Sequence, residues 1–112
     1  MSRVRNQRKA LISGLVCNLV LNERITTTEA KAKEIKPLVD KIIGKVKKIK
    51  TNPDKKVAII RELQKNLNKE TVRKLSGDFA DKFSERTGGY TRIIKLPNRK
   101  SDDAKMAIIE FV

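Results

Sequence analysis

The sequence predicts an α+β fold in two layers, with helices packed on one face of a small three-stranded sheet. Apolar residues recur at helical spacing in four separated stretches, and β-branched residues gather in three short runs, ERITTT, YTRIIKL and KMAIIEFV. The order is helix, strand, three helices and two strands, with no internal repeat, so helices and strands are largely segregated rather than alternating. At 112 residues the chain has the usual size of one domain, spanning 1–112, with residues 1–9 as a basic amino-terminal arm.

Ile12, Leu15, Val16, Leu19 and Val20 fall at i, i+3, i+4, i+7 and i+8, one stripe of a core-facing helix over residues 5 to 21. The apolar run ALISGLVCNLVL behind MSRVRNQRK imitates a secretory signal, but Ser13 and Asn18 interrupt it and NERITTTEAK offers no small-x-small cleavage site. It is also shorter than the ~20 residues that span a bilayer. ERITTT then reads as a strand feeding directly into a second helix, with Thr26 and Glu29 at capping-box spacing. That helix runs to about Ile49 on a stripe of Ile35, Leu38, Val39, Ile42, Ile43, Val46 and Ile49. Pro37 lies inside it and predicts a kink or a break. After the turn TNPDKK, Val57, Ile60, Leu63 and Leu67 mark a third helix, and Val72, Leu75, Phe79 and Phe83 a fourth that begins near Asn68. YTRIIKL, the turn residues PNRKSDDA and KMAIIEFV make a hairpin with a longish loop.

The charge balance is 27 basic residues against 13 acidic ones, a net +14. So large a cationic excess makes the compact state repel itself and implies a polyanionic partner, nucleic acid first and an anionic membrane surface second. The single cysteine, Cys17, forbids an internal disulfide and a cysteine-rich zinc site, reads as a buried structural thiol, and fits a reducing, cytoplasmic setting. There is no histidine, P-loop, dinucleotide fingerprint or zinc spacing. The one adjacent acid pair, Asp102 and Asp103, sits in a basic loop and balances Arg99 and Lys100. No catalytic residue, metal, cofactor or small-molecule substrate is therefore expected.

Three basic patches come from distant parts of the chain: Arg3, Arg5, Arg8 and Lys9; Lys31, Lys33, Lys41, Lys45 and Lys48 on the second helix; and Arg86, Arg92, Arg99 and Lys100 around the hairpin. Lys41, Lys45 and Lys48 stack like charges at i, i+4 and i+7, which costs an isolated helix a few tenths of a kcal/mol per pair, roughly, and suggests a waiting anion. With one tyrosine and three phenylalanines, the chain lacks platforms for stacked bases, leaving recognition of shape and phosphate in folded RNA or duplex. In RTGGYTRIIKL, Gly88 and Gly89 permit a positive-φ bend and leave bare backbone between Arg86 and Arg92, which suits phosphate oxygens; the alternative is a plain turn with Tyr90 packed on the core. Strand alternation puts Arg92 on the face of Tyr90, Ile94 and Leu96. A DNA-binding regulator would concentrate charge on one recognition helix, and a peripheral membrane protein would expose an apolar stripe that a domain of this size needs for its core. Dispersed patches favour a structural RNA-binding protein with no membrane partner.

ERITTTEAKAKEIK, RTGGYTRIIKL and AKMAIIEFV, in this order and at these separations, resemble the bacterial large-subunit ribosomal protein seventeen family over nearly the whole chain. The resemblance implies the same fold, a structural role in translation, binding to large-subunit ribosomal RNA near the outer rim of the peptide exit tunnel, and neighbouring large-subunit proteins as partners. Carried over by position, it makes Thr26, Thr27, Lys31, Lys33 and Glu34 a strand-to-helix element. Arg86, Gly88, Gly89, Tyr90, Thr91 and Arg92 become the signature turn, and Arg99 a basic loop position. The chain departs from the pattern before the first helix, where only SRVRNQRK stands for a longer basic extension, and at SDD, where a Gly-Asp pair is common.

Overall fold

The Ile12 to Val20 stripe folds as the first helix, α1 (Ser2–Asn22), and buries Val16, Cys17, Leu19 and Val20. The computed structural model describes residues 2–83, 85–86 and 88–112, without the side chains of residues 2–6, 50, 78 and 80. Glu23 ends α1 in a left-handed conformation, φ 66°, donating its N–H to the Leu19 carbonyl at 2.7 Å. Its carboxylate receives Lys82 and, at 3.5 Å, Lys74, and Lys74 also donates to the Leu21 carbonyl at 3.1 Å. The bend after α1 is thus fastened to Lys74 and Lys82, which stand 53 and 59 positions beyond Leu21 and Glu23 respectively.

Strand β1 (Arg24–Thr28) runs straight into α2 (Glu29–Thr51). The cap is Thr28, whose hydroxyl accepts from the Lys31 N–H at 3.4 Å, not the expected Thr26. Thr26 is still in the strand, opposite Ile108, because β1 keeps pairing until Thr28 meets Met106. Nor does Pro37 break the helix. It is exposed, so the Lys33 carbonyl that loses its helical donor lies on the water side, where solvent can serve it. Ala32, Ile35, Val39, Ile43, Val46 and Ile49 are buried along α2, but Leu38, expected with them, is 42% exposed.

A short 3₁₀ turn (Pro53–Lys55) leads into α3 (Lys56–Gln64). Asn68 then caps α4 (Lys69–Ser76), accepting from the Thr71 N–H at 2.8 Å. The stripe expected to continue to Phe83 as one helix does so in two pieces. Gly77 ends α4, and a 3₁₀ segment (Asp78–Phe83) carries Phe79 and Phe83 into the core. There they meet Tyr90 and Phe111 edge-on or tilted, with ring centroids 4.9 to 5.7 Å apart.

The hairpin forms as β2 (Thr91–Lys95) and β3 (Met106–Phe111), and β3 is also the partner of β1, giving an antiparallel sheet in the order β1-β3-β2. One face, with Ile25, Thr27, Thr91, Ile93, Ala107 and Ile109, packs on the helices. The other, with Arg24, Thr26, Arg92 and Ile94, is open. This is the two-layer α+β arrangement the sequence predicts. In the hairpin loop SDD replaces the missing glycine with Asp103, which takes φ 57°, donates its N–H to the Arg99 carbonyl at 2.7 Å, and accepts from Asn98 at 3.1 Å. Asp tolerates this conformation better than most residues with a Cβ.

Candidate nucleic-acid interface

The second helix sets the geometry of the basic surface. Positions 31, 34, 38, 41, 45 and 48 repeat at three and four residues, so Lys31, Lys41, Lys45 and Lys48 share one long face of α2 with Glu34 and Leu38. The amino-terminal half of α1 lies against this face, where Arg8 Nε donates to Glu34 Oε1 at 3.1 Å. Two patches that are far apart in sequence therefore become one surface, running from Lys9 across α2. Arg3 and Arg5 belong to the same helix, but their side chains lie outside the described residues.

The cations of this surface differ in what they already hold. Lys9, Lys31, Lys41 and Lys48 are exposed and make no ion pair among the described residues. Lys45 is half-buried and hydrogen-bonded to Glu62 of α3, whose carboxyl it pulls below the usual range. It is a tie between helices rather than one of three repelling lysines. Lys33 sits 3.0 Å from Glu29, one turn earlier, and its hydrogen bond is the first cause of that carboxyl's lowered pKa.

The glycine turn lies on another side of α2. Lys47 donates to the Arg86 carbonyl, and to the Tyr90 hydroxyl at 3.2 Å, fixing both ends of the bend. Tyr90 is 4% exposed and packs on Phe83, so its ring serves the core. Gly88 and Gly89 are exposed, and a Cβ at either would meet nothing within 4 Å. Only Gly89 has positive φ, 62°, so the bend needs one glycine for its own geometry and not two. The backbone at Gly88 and Gly89 is thus bare to the outside, with the exposed Arg86 beside it.

The rest of the hairpin set is less available. Thr91 is 3% exposed, its hydroxyl donates to Asp40 at 3.1 Å and its carbonyl accepts from Lys36 at 2.7 Å, so it holds β2 to α2. Arg92 is not at the core edge with Tyr90. It lies on the open face of the sheet with Ile94, whereas Tyr90, just before β2 and accepting from the Val112 N–H at 3.1 Å through its carbonyl, is buried. There its Nε donates to Glu110 at 2.7 Å, while Arg24 approaches the other carboxylate oxygen at 3.6 Å from the far strand. Arg99 grips Asp102 with Nε at 2.9 Å and Nη2 at 2.7 Å. With the Ala104 N–H, this holds the Asp102 carboxyl down to about 2. Lys100 is exposed and without an ion pair among the described residues.

The residues missed in the sequence are Lys36 and Lys47, which position the signature turn from beneath. Their signal is visible afterwards: they flank the buried stripe of Ile35, Val39, Ile43 and Val46 rather than lying opposite it. No group of three or more potential metal ligands exists among the described residues.

The family model for ribosomal protein L17 matches residues 11–112, which takes in α2, the glycine turn and the hairpin. The chain is 45% identical to a protein of Shouchella clausii named large ribosomal subunit protein bL17, over the whole chain and 96% of that protein. Proteins of the same name from Acholeplasma laidlawii and Staphylococcus epidermidis are 42% and 40% identical, again over the whole chain and 95% and 96% of their own lengths. A match along the full fold, from α1 to β3, at this identity is one of common descent, and the chain belongs to the ribosomal protein L17 family.

Proposed function

We propose that the chain is a non-enzymatic, structural component of the large subunit of a cytoplasmic ribosome, binding ribosomal RNA near the outer rim of the peptide exit tunnel beside other large-subunit proteins. Family membership supports the ribosomal role. The observation that carries the RNA contact is the row of unpaired lysines, Lys9, Lys31, Lys41 and Lys48, joined across α1 and α2 on a chain of net charge +14. Such a row binds by neutralising phosphates. It has no aromatic residue of its own and so needs no particular base sequence along the lysines. The bare amides at Gly88 and Gly89, with Arg86, supply a second phosphate contact from the opposite side of α2.

Binding to large-subunit ribosomal RNA is expected to weaken steeply with salt. If about six to eight phosphates are neutralised, the logarithmic slope should be about −4 to −7. Filter binding over a salt series, with duplex DNA and anionic vesicles as competitors, measures it. A slope shallower than about −2 would defeat the reading, as would vesicles competing as well as the RNA.

A further inference from the structure

Between the amino-terminal half of α1, the middle of α2, and α3 lies an open groove of about 500 Å³. Its floor is aliphatic and includes Ile12, Leu38, Ile42 and Leu63. Leu38, at 42% exposed, is the stripe residue that the core left behind. Cations stand around the rim. Arg8 and Lys45 are neutralised there by Glu34 and Glu62, while Lys9 and Lys41 remain without ion pairs among the described residues. Ser13 and Asn66 also line the groove, and their side chains make no hydrogen bond with the described residues.

These features select an occupant. A second copy of this chain would bring its own net +14 to a cationic rim. A helix from a neighbouring protein could cover the floor but would need acidic residues of its own to answer Lys9 and Lys41. A groove of about 500 Å³ is in the size class that encloses a small planar or compact group. An anionic ligand with an apolar, flat part and a polar edge fits floor, rim and Asn66 together. In RNA that is an unstacked base from a loop or bulge, carried between two phosphates.

We infer that this groove receives one unstacked base of the RNA, its face on Leu38 and Ile42, its flanking phosphates on Lys9 and Lys41. Leucine and isoleucine make apolar contact with base faces where they wedge between base steps, the contact an aliphatic floor offers here. The Asn66 amide offers one acceptor and two donor hydrogens to the base edge, and Ser13 a hydroxyl. The inference rests on the RNA-binding reading above and adds to it. Beyond phosphates, the protein would hold one nucleotide out of its stack.

The test compares Leu38→Asn with Val57→Asn in the full chain. Both replace an exposed apolar helical residue by the same uncharged one, and Val57, 61% exposed, is outside the groove. The probe is protein-free large-subunit ribosomal RNA, read by affinity, by base methylation and by hydroxyl-radical cleavage of the backbone. Wild type should protect an unpaired base. Leu38→Asn should bind about tenfold more weakly, the scale of one lost base contact, and should lose that base protection while keeping the backbone protection and the salt slope. Val57→Asn should behave as wild type. Asn66→Ala, at an exposed side chain with no hydrogen bond among the described residues, gives an independent reading if Leu38→Asn melts early. Unchanged affinity in Leu38→Asn and Asn66→Ala would overturn the inference, as would an equal loss in Val57→Asn. So would a Leu38→Asn defect seen only when other ribosomal proteins are present, because the occupant would then be protein. Failure of wild type itself to bind the RNA is a separate result, and it would bring down the reading beneath.

Discussion

The lysine face of α2 and the arginines of the hairpin look alike in sequence and differ in the folded chain. On α2, Lys31, Lys41 and Lys48 make no ion pair among the described residues, although Lys41 lies near enough to Glu62 to help lower its carboxyl pKa. At the sheet, Arg24 and Arg92 share Glu110, and Arg99 holds Asp102. A phosphate approaching α2 meets free ammonium groups. One approaching the hairpin must first compete with a carboxylate already in place. Exposed pairs of this kind add little to stability, typically about 0–1 kcal/mol, but they lower the local potential that attracts RNA. Net charge therefore overstates the charge that a phosphate can use without displacing a carboxylate.

The largest effect should come from removing that row. Changing Lys31, Lys41 and Lys48 together to Gln should weaken ribosomal RNA binding by about 3 kcal/mol and make the salt slope shallower by about 3, at roughly one phosphate per lysine. The thermal midpoint should stay within a few degrees, since these are exposed side chains whose changes usually cost under ~0.5 kcal/mol each. The matched change of Arg24, Arg92 and Arg99 to Gln should weaken binding by less than about 1 kcal/mol, because all three guanidiniums are already paired. Equal losses in the two variants, measured by filter binding at one salt concentration, would abolish the distinction between the regions.

What was legible in the sequence, and what was not, follows the same division. The stripe on α1, the strand-to-helix passage after ERITTT, the Asn68 helix start and the hairpin are local patterns, and the structure has each of them. Thr28 caps α2 instead of Thr26, and the helix runs unbroken through Pro37 although a kink or a break was expected there, because strand pairing and exposure outweighed a local rule. The ion pairs were hidden for a different reason. Arg92 and Glu110 are 18 residues apart, Arg8 and Glu34 are 26, and Lys45 and Glu62 are 17, so each pair exists only after separate elements have packed or paired. Arg99 and Asp102, three apart, were visible as a balanced loop. Basic residues could be found by reading; which of them remain unpaired could not.

The glycine turn sharpens the comparison at a smaller energy, because it offers backbone rather than charge. Gly89→Ala should cost about 1 kcal/mol, the usual penalty for a Cβ at left-handed φ, and should lower the thermal midpoint. Gly88→Ala, with ordinary φ and open space around the added carbon, should leave stability within about 0.5 kcal/mol. Its readout is RNA affinity. If phosphate comes against the bare backbone, the methyl group obstructs it, and Gly88→Ala should weaken binding without changing the melt. Unchanged binding in Gly88→Ala would confine the contact surface to α1 and α2. Both substitutions together separate the glycine the fold requires from the one a partner requires.

The smallest expected effect tests whether a hairpin arginine is truly committed. In the folded chain the Arg99 hydrogen bonds, then the Ala104 N–H, depress the Asp102 carboxyl from 3.8 to about 2. A depressed carboxyl adds stability that is fully present above the unfolded value near 3.8 and is lost as pH falls through about 2. Both groups are exposed, so the contribution to the melt is slight, and the sensitive measurement is an NMR titration of the Asp102 side chain. In Arg99→Gln the midpoint should rise most of the way toward 3.8, because the first cause of the shift is gone. A midpoint that stays near 2 would mean that backbone donors hold the carboxylate, leaving Arg99 free for RNA. At neutral pH the Arg99 Nε–H resonance extends the test to the complex. If it keeps its free-protein shift on adding ribosomal RNA, the pair survives binding and the hairpin differs from the lysine face as described. A large shift would show the guanidinium leaving Asp102 for a phosphate, making the carboxylate a resting partner that the RNA displaces.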